Sequence, residues 1–184
     1  MARPPTQILL TGRPGVGKTT ALVRTAELLA VRGVPTADFY TAELRRQGRR
    51  VGFRGVPLAG GEPCVIAHVD LPAPRVGRYG VDVAAIDRLA ARHLHPDPDR
   101  RVVVLVDEIG KMECLSPAFV HRVRTLLDSP TPLLATVGQG GTAFMHEVRR
   151  RDDALLTTVT ESNRDRIPER AARWLEDRLL TGQR

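Results

Sequence analysis

Aromatic side chains make up only 4% of the 184 residues, so the chain offers few flat rings on which exposed nucleic-acid bases would stack. Cysteine is nearly absent: Cys64 and Cys114 stand far apart with no CxxC pairing. That argues against a disulfide framework and leaves two free thiols as the expectation. Long hydrophobic runs are missing too. The longest aliphatic stretch, Val102 to Val106, is far too short to span a bilayer. Met1-Ala2-Arg3-Pro4-Pro5 leads into the first apolar segment without the hydrophobic region of a secretory signal. A cytoplasmic protein with no membrane partner is the expectation. Lysine is scarce as well: of 28 Lys and Arg residues, only Lys18 and Lys111 are lysine. The net charge of +7 is therefore an arginine charge, spread along the chain and often beside Asp or Glu. Its densest groups are Arg45, Arg46, Arg49, Arg50 and Arg54, and then Arg149, Arg150 and Arg151. A solvated basic face accounts for these better than a nucleic-acid footprint, which stays open as an alternative. With no internal repeat, low-complexity tract or linker, the length suits one α/β domain, expected to be a monomer.

What the chain does contain is Gly12-Arg13-Pro14-Gly15-Val16-Gly17-Lys18-Thr19, a full match to the phosphate-binding P-loop pattern G-x-x-x-x-G-K-[ST]. The glycines let the backbone fold closely around phosphate oxygens, with N–H groups pointing at the anion. The pattern assigns Lys18 to the β- and γ-phosphates of a nucleoside triphosphate and the Thr19 hydroxyl to Mg²⁺. The context agrees. Gln7 to Leu10 reads as a short buried strand before the loop, and helix-spaced apolar residues run from Thr20 to Ala30 after it.

Beyond Gly33-Val34-Pro35, alternating residues predict three strands, from Ala37 to Leu44, Arg50 to Leu58 and Cys64 to Val69. Gly48, Gly55 and Gly60-Gly61 punctuate them as in antiparallel hairpins. They form a β-rich insertion over about residues 36–70, and Leu71 to Pro74 is a loop. A helix is expected over about 83–94, stopped by Pro96 and Pro98. Arg101 to Val106 reads as a central buried strand. Ser116 is placed to cap a helix over 117–127 with proline at its first turn. A strand over 133–137, a short helix over 142–150, a strand over 155–159 and an amphipathic helix over 167–180 complete the reading. Strands alternating with helices imply a parallel sheet covered on both sides.

The strand ending at Val106 delivers Asp107-Glu108 at its carboxyl end, where open parallel sheets bind ligands. Paired with a P-loop, the aspartate reads as a second ligand for magnesium. Glu108, one residue on, is positioned to orient and polarise a water for in-line attack on the γ-phosphate. Lys111 follows in Ile109-Gly110-Lys111-Met112-Glu113, with no role the sequence assigns. His93, His95 and Asp97 make a possible metal trio, but a solvated helix end is the better reading.

Asp107-Glu108-Ile109-Gly110-Lys111-Met112-Glu113 resembles the signature of a small nucleoside-triphosphatase family of thermophilic prokaryotes, called cancer-related nucleoside-triphosphatase in vertebrates. Further blocks follow in the family's order: Phe39-Tyr40-Thr41 with Glu43 and Arg45, Gly48 to Phe53, Val76 to Val81, and Asn163-Arg164-Asp165. With the P-loop they cover roughly residues 8–165. Asp38 departs from the pattern, standing where the family usually has glycine. The resemblance implies slow hydrolysis of several nucleoside triphosphates, ATP and GTP among them, with loose base selectivity. It also implies a three-layer α/β fold with a RecA-like, mostly parallel sheet and added antiparallel strands.

The expected nucleotide site comprises Gly12, Arg13, Pro14, Gly15, Val16, Gly17, Lys18, Thr19 and Thr20; then Val104, Leu105, Val106, Asp107, Glu108, Ile109 and Gly110; and finally Asn163 and Arg164, which follow the last strand and would flank base or ribose. Glu108 and Lys18 are the expected catalytic pair, and Thr19 and Asp107 the Mg²⁺ ligands. Arg45, Arg50 and Arg78 are candidates for an arginine finger, with ordinary ion pairs as the competing account. Two other functions stay open: a kinase for a small acceptor, and an ATP-switched nucleic-acid-binding module.

Overall fold

The computed structural model describes residues 5–58, 60–94 and 102–181. Strand β1 (Gln7–Thr11) leads through the glycine loop into helix α1 (Lys18–Val31). Five strands follow: β2 (Thr36–Arg46), β3 (Arg49–Val56), β4 (Cys64–His68), β5 (Arg75–Val76) and β6 (Tyr79–Val81). The chain then alternates through α2 (Val83–His93), β7 (Val103–Ile109), α3 (Pro117–Leu127), β8 (Leu133–Val137), α4 (Ala143–Arg149), β9 (Leu155–Thr158) and α5 (Ile167–Thr181).

Nine strands make one sheet in the order β5-β6-β4-β3-β2-β7-β8-β1-β9. From β2 to β9 the pairings are parallel, and from β2 outward to β5 they are antiparallel. Alternation along the central strands explains the three layers. Ile8 and Leu10 of β1 join Val103 and Leu105 of β7 in one apolar cluster, against Ala21, Leu22, Ala26 and Leu29 of α1 and Ala171, Ala172 and Leu175 of α5. Leu9, Val104 and Val106 point the other way, to Ile86 and Leu89 of α2, Phe119 and Val123 of α3, and Met145 and Val148 of α4. Each fully buried aliphatic of this kind contributes about 1.5–3 kcal/mol by leaving water.

Local chemistry sets the helix starts. Asp82 accepts a bond from the Ala85 N–H at 2.9 Å, and Ser116 Oγ accepts from the Phe119 N–H at 2.8 Å. Ser116 and Pro117 thus start α3 where the sequence places it. Helix α1 differs: its N-cap is Gly17, with no side-chain cap and no acidic residue in the first turn. Its first N–H groups therefore face the loop side without a competing carboxylate.

The structure corrects the expected insertion in two ways. Residues 36–39 of β2 pair in parallel with residues 103–106 of β7, so they belong to the central sheet; only the remainder of β2 turns into the antiparallel ribbon with β3. The ribbon also reaches farther than residue 70, because β5 and β6 close its outer edge. Asp38 fixes the crossover: buried, it accepts from Thr36 Oγ1 at 2.5 Å and from the Leu58 N–H at 2.8 Å. Strand β7 continues beyond Val106 through Asp107 and Glu108 to Ile109. Of the candidate metal trio, His95 and Asp97 lie outside the described residues.

Candidate functional site

Strand β8 lies between β1 and β7, so the P-loop after β1 and the acidic end of β7 open on the same edge of the sheet, one strand apart. Gly12, Gly15 and Gly17 all take positive φ, 150°, 75° and 111°. Gly12 also passes so close to β9 that an added Cβ would meet the Val159 carbonyl oxygen at 2.8 Å. A side chain there would force the loop away from the sheet. Buried Lys18 turns its ammonium under the loop, donating to the Gly12 carbonyl at 3.2 Å and the Arg13 carbonyl at 3.4 Å.

Asp107 is almost fully buried, and both its oxygens are engaged. Thr19 Oγ1 donates to Oδ2 at 2.9 Å, and Thr136 Oγ1 of β8 donates to Oδ1 at 2.5 Å. Burial pushes the Asp107 carboxyl above its ordinary range, while the threonine bonds and the nearby Lys18 ammonium pull it down. Thr19 and Asp107 thus converge two hard oxygen donors at the mouth of the loop, a donor set that fits Mg²⁺. Glu108 is only partly buried. Its carboxyl is raised by burial and by the charge of Asp107, with Lys18 opposing. Both conditions raise its affinity for a proton, in the direction a general base needs.

P-loop and carboxylates line one cleft of about 620 Å³, closed on the far side by Thr41, Glu43, Phe53 and Val76 from the ribbon and by Gly138, Gln139 and Gly140 after β8. Gly110 is essential to its shape: a Cβ there would lie 2.6 Å from Glu113 Oε2 and 3.3 Å from Glu108 Oε1. The carboxylates close in on the turn only because nothing projects from it. A smaller recess of about 240 Å³ adjoins the cleft, lined by Gly17, Thr20, Ala21, Arg24, Arg164 and Asp165. Gly17 and Thr20 line both spaces.

A family model described as NTPase matches residues 7–172. The chain belongs to that family. It is 42% identical over 168 residues to the nucleoside-triphosphatase THEP1 of Thermofilum pendens, covering 90% of this chain and 92% of that one. Identity to the human cancer-related nucleoside-triphosphatase is 41% over 175 residues, covering 87% and 91%. The crystal structure of THEP1 from Aquifex aeolicus superposes with a TM-score of 0.81 at 34% identity, covering 92% of this chain and 99% of that chain. The fold is the α/β, mostly parallel P-loop arrangement that the sequence resemblance implies.

Within this NTPase-family chain the expected site residues separate into groups. Gly12, Pro14, Gly15, Gly17, Lys18, Thr19, Thr20, Asp107, Glu108 and Gly110 line the cleft together. Val104, Leu105, Val106 and Ile109 do not: they are fully buried between sheet and helices, and they position the acidic end of β7 from behind. Val16 is likewise buried against the α1–α5 core, and Arg13 points outward to Glu161 at 2.5 Å. Asn163 is committed to its own turn, accepting from the Thr160 N–H at 2.8 Å and donating to the Thr158 carbonyl at 2.9 Å. It faces a separate cavity of about 290 Å³ beside Trp174. Arg164 alone of that pair reaches the recess next to the P-loop.

Three contributors were not assigned from sequence. Thr136 interrupts an otherwise apolar buried strand, and that single polar residue was the available signal. Thr41 lies in a family block; its Oγ1 is 3.0 Å from the Asp107 carbonyl oxygen and 3.4 Å from Glu113 Oε1. Glu113, buried in the 3-10 turn that follows β7, has its carboxyl pushed up to about 8, chiefly by burial.

Proposed function

We propose that this chain hydrolyses nucleoside 5′-triphosphates to the diphosphate and phosphate, with magnesium and without strict choice of base. The observation that carries the reading is Glu108, beside Asp107 and in the same cleft as Lys18. A carboxylate there can hold a water in line with the γ-phosphate and take its proton as the oxygen attacks. The Lys18 ammonium and the P-loop N–H groups neutralise and orient the phosphates. Thr19 and Asp107 would hold Mg²⁺, which when bound neutralises charge on the β- and γ-phosphate oxygens. The recess beside Gly17 and Thr20 receives ribose and base, with Arg164 at its wall. No guanine-reading N-K-x-D motif occurs in the sequence, and recognition through phosphates tolerates any base.

The relatives' names, nucleoside-triphosphatase in both cases, support hydrolysis over phosphoryl transfer to an acceptor. The ion pairs of the arginine-rich segments support the solvated-face reading of the charge: Arg45 and Arg50 meet Glu43, and Arg151 meets Asp128 and Asp153. Among the described residues no helix is long and apolar enough to cross a membrane. The test is phosphate release from ATP, GTP, CTP and UTP with magnesium, with and without nucleosides and nucleotides as acceptors. Acceptor-independent release from all four, ATP and GTP within about tenfold, is the expected result. Consumption of triphosphate only when acceptor is present would contradict it.

A further inference from the structure

The cleft holds four carboxyl side chains, Glu43, Asp107, Glu108 and Glu113, but among the described residues lining it the only cations are Lys18 and Lys111. A triphosphate adds more negative charge, and more still develops on the γ-phosphoryl oxygens as the bond to the leaving group loosens. Triphosphatases meet that charge with a second protein cation beyond the P-loop lysine, commonly an arginine finger.

The three arginine candidates are engaged elsewhere. Arg45 and Arg50 pair with Glu43 at 2.6 and 2.7 Å. Arg50 also donates to Tyr79 Oη at 3.0 Å and stacks over the rings of Phe53 and Tyr79. Arg78 stacks over Tyr79 and donates to the Arg50 carbonyl oxygen. None of the three lines the cleft.

Lys111 does. It follows Gly110 at the end of β7, is exposed, and has no hydrogen bond or ion pair among the described residues. Its Cγ lies 3.5 Å from the point an added Gly141 Cβ would occupy, so the stem runs against the glycine loop that carries Gln139. Composition points the same way. In a chain whose cations are otherwise arginine, lysine stands at two positions, and the other is the P-loop lysine. An ammonium is a compact point charge, whereas a guanidinium is a planar fork that needs more room beside the reacting phosphate.

Resting on the hydrolase reading above, we propose that Lys111 is a catalytic residue that contacts the γ-phosphoryl oxygens in the transition state and does in cis the work of an arginine finger. Water oxygen forms the new bond to the γ-phosphorus and its proton passes to Glu108. The bond from γ-phosphorus to the bridging oxygen breaks, and that electron pair leaves with the diphosphate. The Lys111 ammonium matches the charge that spreads over the γ-oxygens.

The test compares wild type, Lys111→Met, Lys111→Arg, Arg50→Ala and Arg78→Ala. Methionine keeps the unbranched stem and removes the charge at an exposed position. Lys111→Met should lower kcat by about 10²-fold or more while the Kd for Mg–ATP stays within a few-fold. Its affinity for the transition-state mimic Mg–ADP–fluoroaluminate should fall in parallel with kcat, which a merely structural lysine would not produce. Lys111→Arg should recover only part of the loss, and the two arginine variants should stay within a few-fold of wild type. Wild-type kcat and fluoroaluminate affinity in Lys111→Met would overturn the proposal, as would their loss in Arg50→Ala or Arg78→Ala instead. Failure of the hydrolase reading is read separately, as absence of acceptor-independent phosphate release by the wild-type protein.

Discussion

The parallel half of the sheet and its antiparallel extension are held together by different physics. In the parallel half the central strands β7, β8 and β1 are buried on both faces, their aliphatic side chains interleave with five helices, and their described residues are almost all inaccessible. In the extension, exposed arginines and two aromatic rings do much of that work. Phe53 and Tyr79 meet edge to face at 5.2 Å, Arg50 and Arg78 cover the rings, and Glu43 closes the network. The chemistry-bearing residues Lys18, Thr19, Asp107 and Glu108 all sit on the half with the fixed core, whereas the extension supplies only the cleft's far wall. Close-packed cores hold donor and acceptor positions to tenths of an ångström; exposed ion pairs contribute little stability and yield to salt. The division sets a densely packed cradle of loop and strand ends against a wall held by exposed ion pairs.

Substitutions that strike the cradle should have the largest effects. Lys18→Ala should remove most triphosphate affinity or turnover, because the γ-phosphate loses its principal protein cation; isothermal titration with Mg–ATP, alongside phosphate release, checks this. Leu105→Ala should cost about 2–5 kcal/mol in denaturant unfolding, since the side chain is fully buried behind the Asp107 end of β7. Arg50→Ala in the extension should cost only about 1 kcal/mol, and less in molar salt, because its pair with Glu43 is solvent-exposed. A cost for Arg50→Ala equal to that of Leu105→Ala would erase the distinction between the two regions.

Glu113 gives a subtler test at the seam. Its carboxyl ionises normally near 4.5 but is pushed up to about 8 in the folded protein. Between those values the folded state carries a proton the unfolded chain has lost, so stability falls as pH rises through the window. The unfolding midpoint should therefore drop between about pH 5 and pH 8, and Glu113→Gln should flatten that dependence. A pH profile unchanged by the substitution would show that Glu113 ionises normally.

Legibility in the sequence follows the same division. The parallel half announces itself through short aliphatic runs and capped helices, so α3 begins at the Ser116 cap and β8 spans Leu133–Val137, as periodicity predicts. The P-loop and Asp107-Glu108 were readable because their spacing is set by phosphate and metal chemistry. The extension was harder. Residues 36–39 alternate like hairpin residues, yet pair in parallel with β7, a partner 67 residues away that no local pattern reveals. Strands β5 and β6 contain two and three residues, too few for a period to show. Within the site, Val104 to Val106 were expected to line the nucleotide, but helices cover both faces of β7 and bury all three. Asn163 was assigned by its place after β9, but its amide completes a turn. For the arginine candidates the ion-pair alternative was equally legible: charge density along the chain does not say which guanidiniums are already paired, and Arg45 and Arg50 meet Glu43.

Glu108→Gln tests the central claim most directly, with nucleotide affinity and single-turnover hydrolysis measured on the same variant. The amide keeps the side chain's size and its grip on water but cannot accept the proton. Lys18, Thr19 and Asp107 are untouched, so Kd for Mg–ATP should stay within a few-fold of wild type while hydrolysis slows by about 10²–10⁴-fold. Hydrolysis at the wild-type rate would contradict the account, leaving Glu108 structural and making Glu113 the next carboxylate to replace.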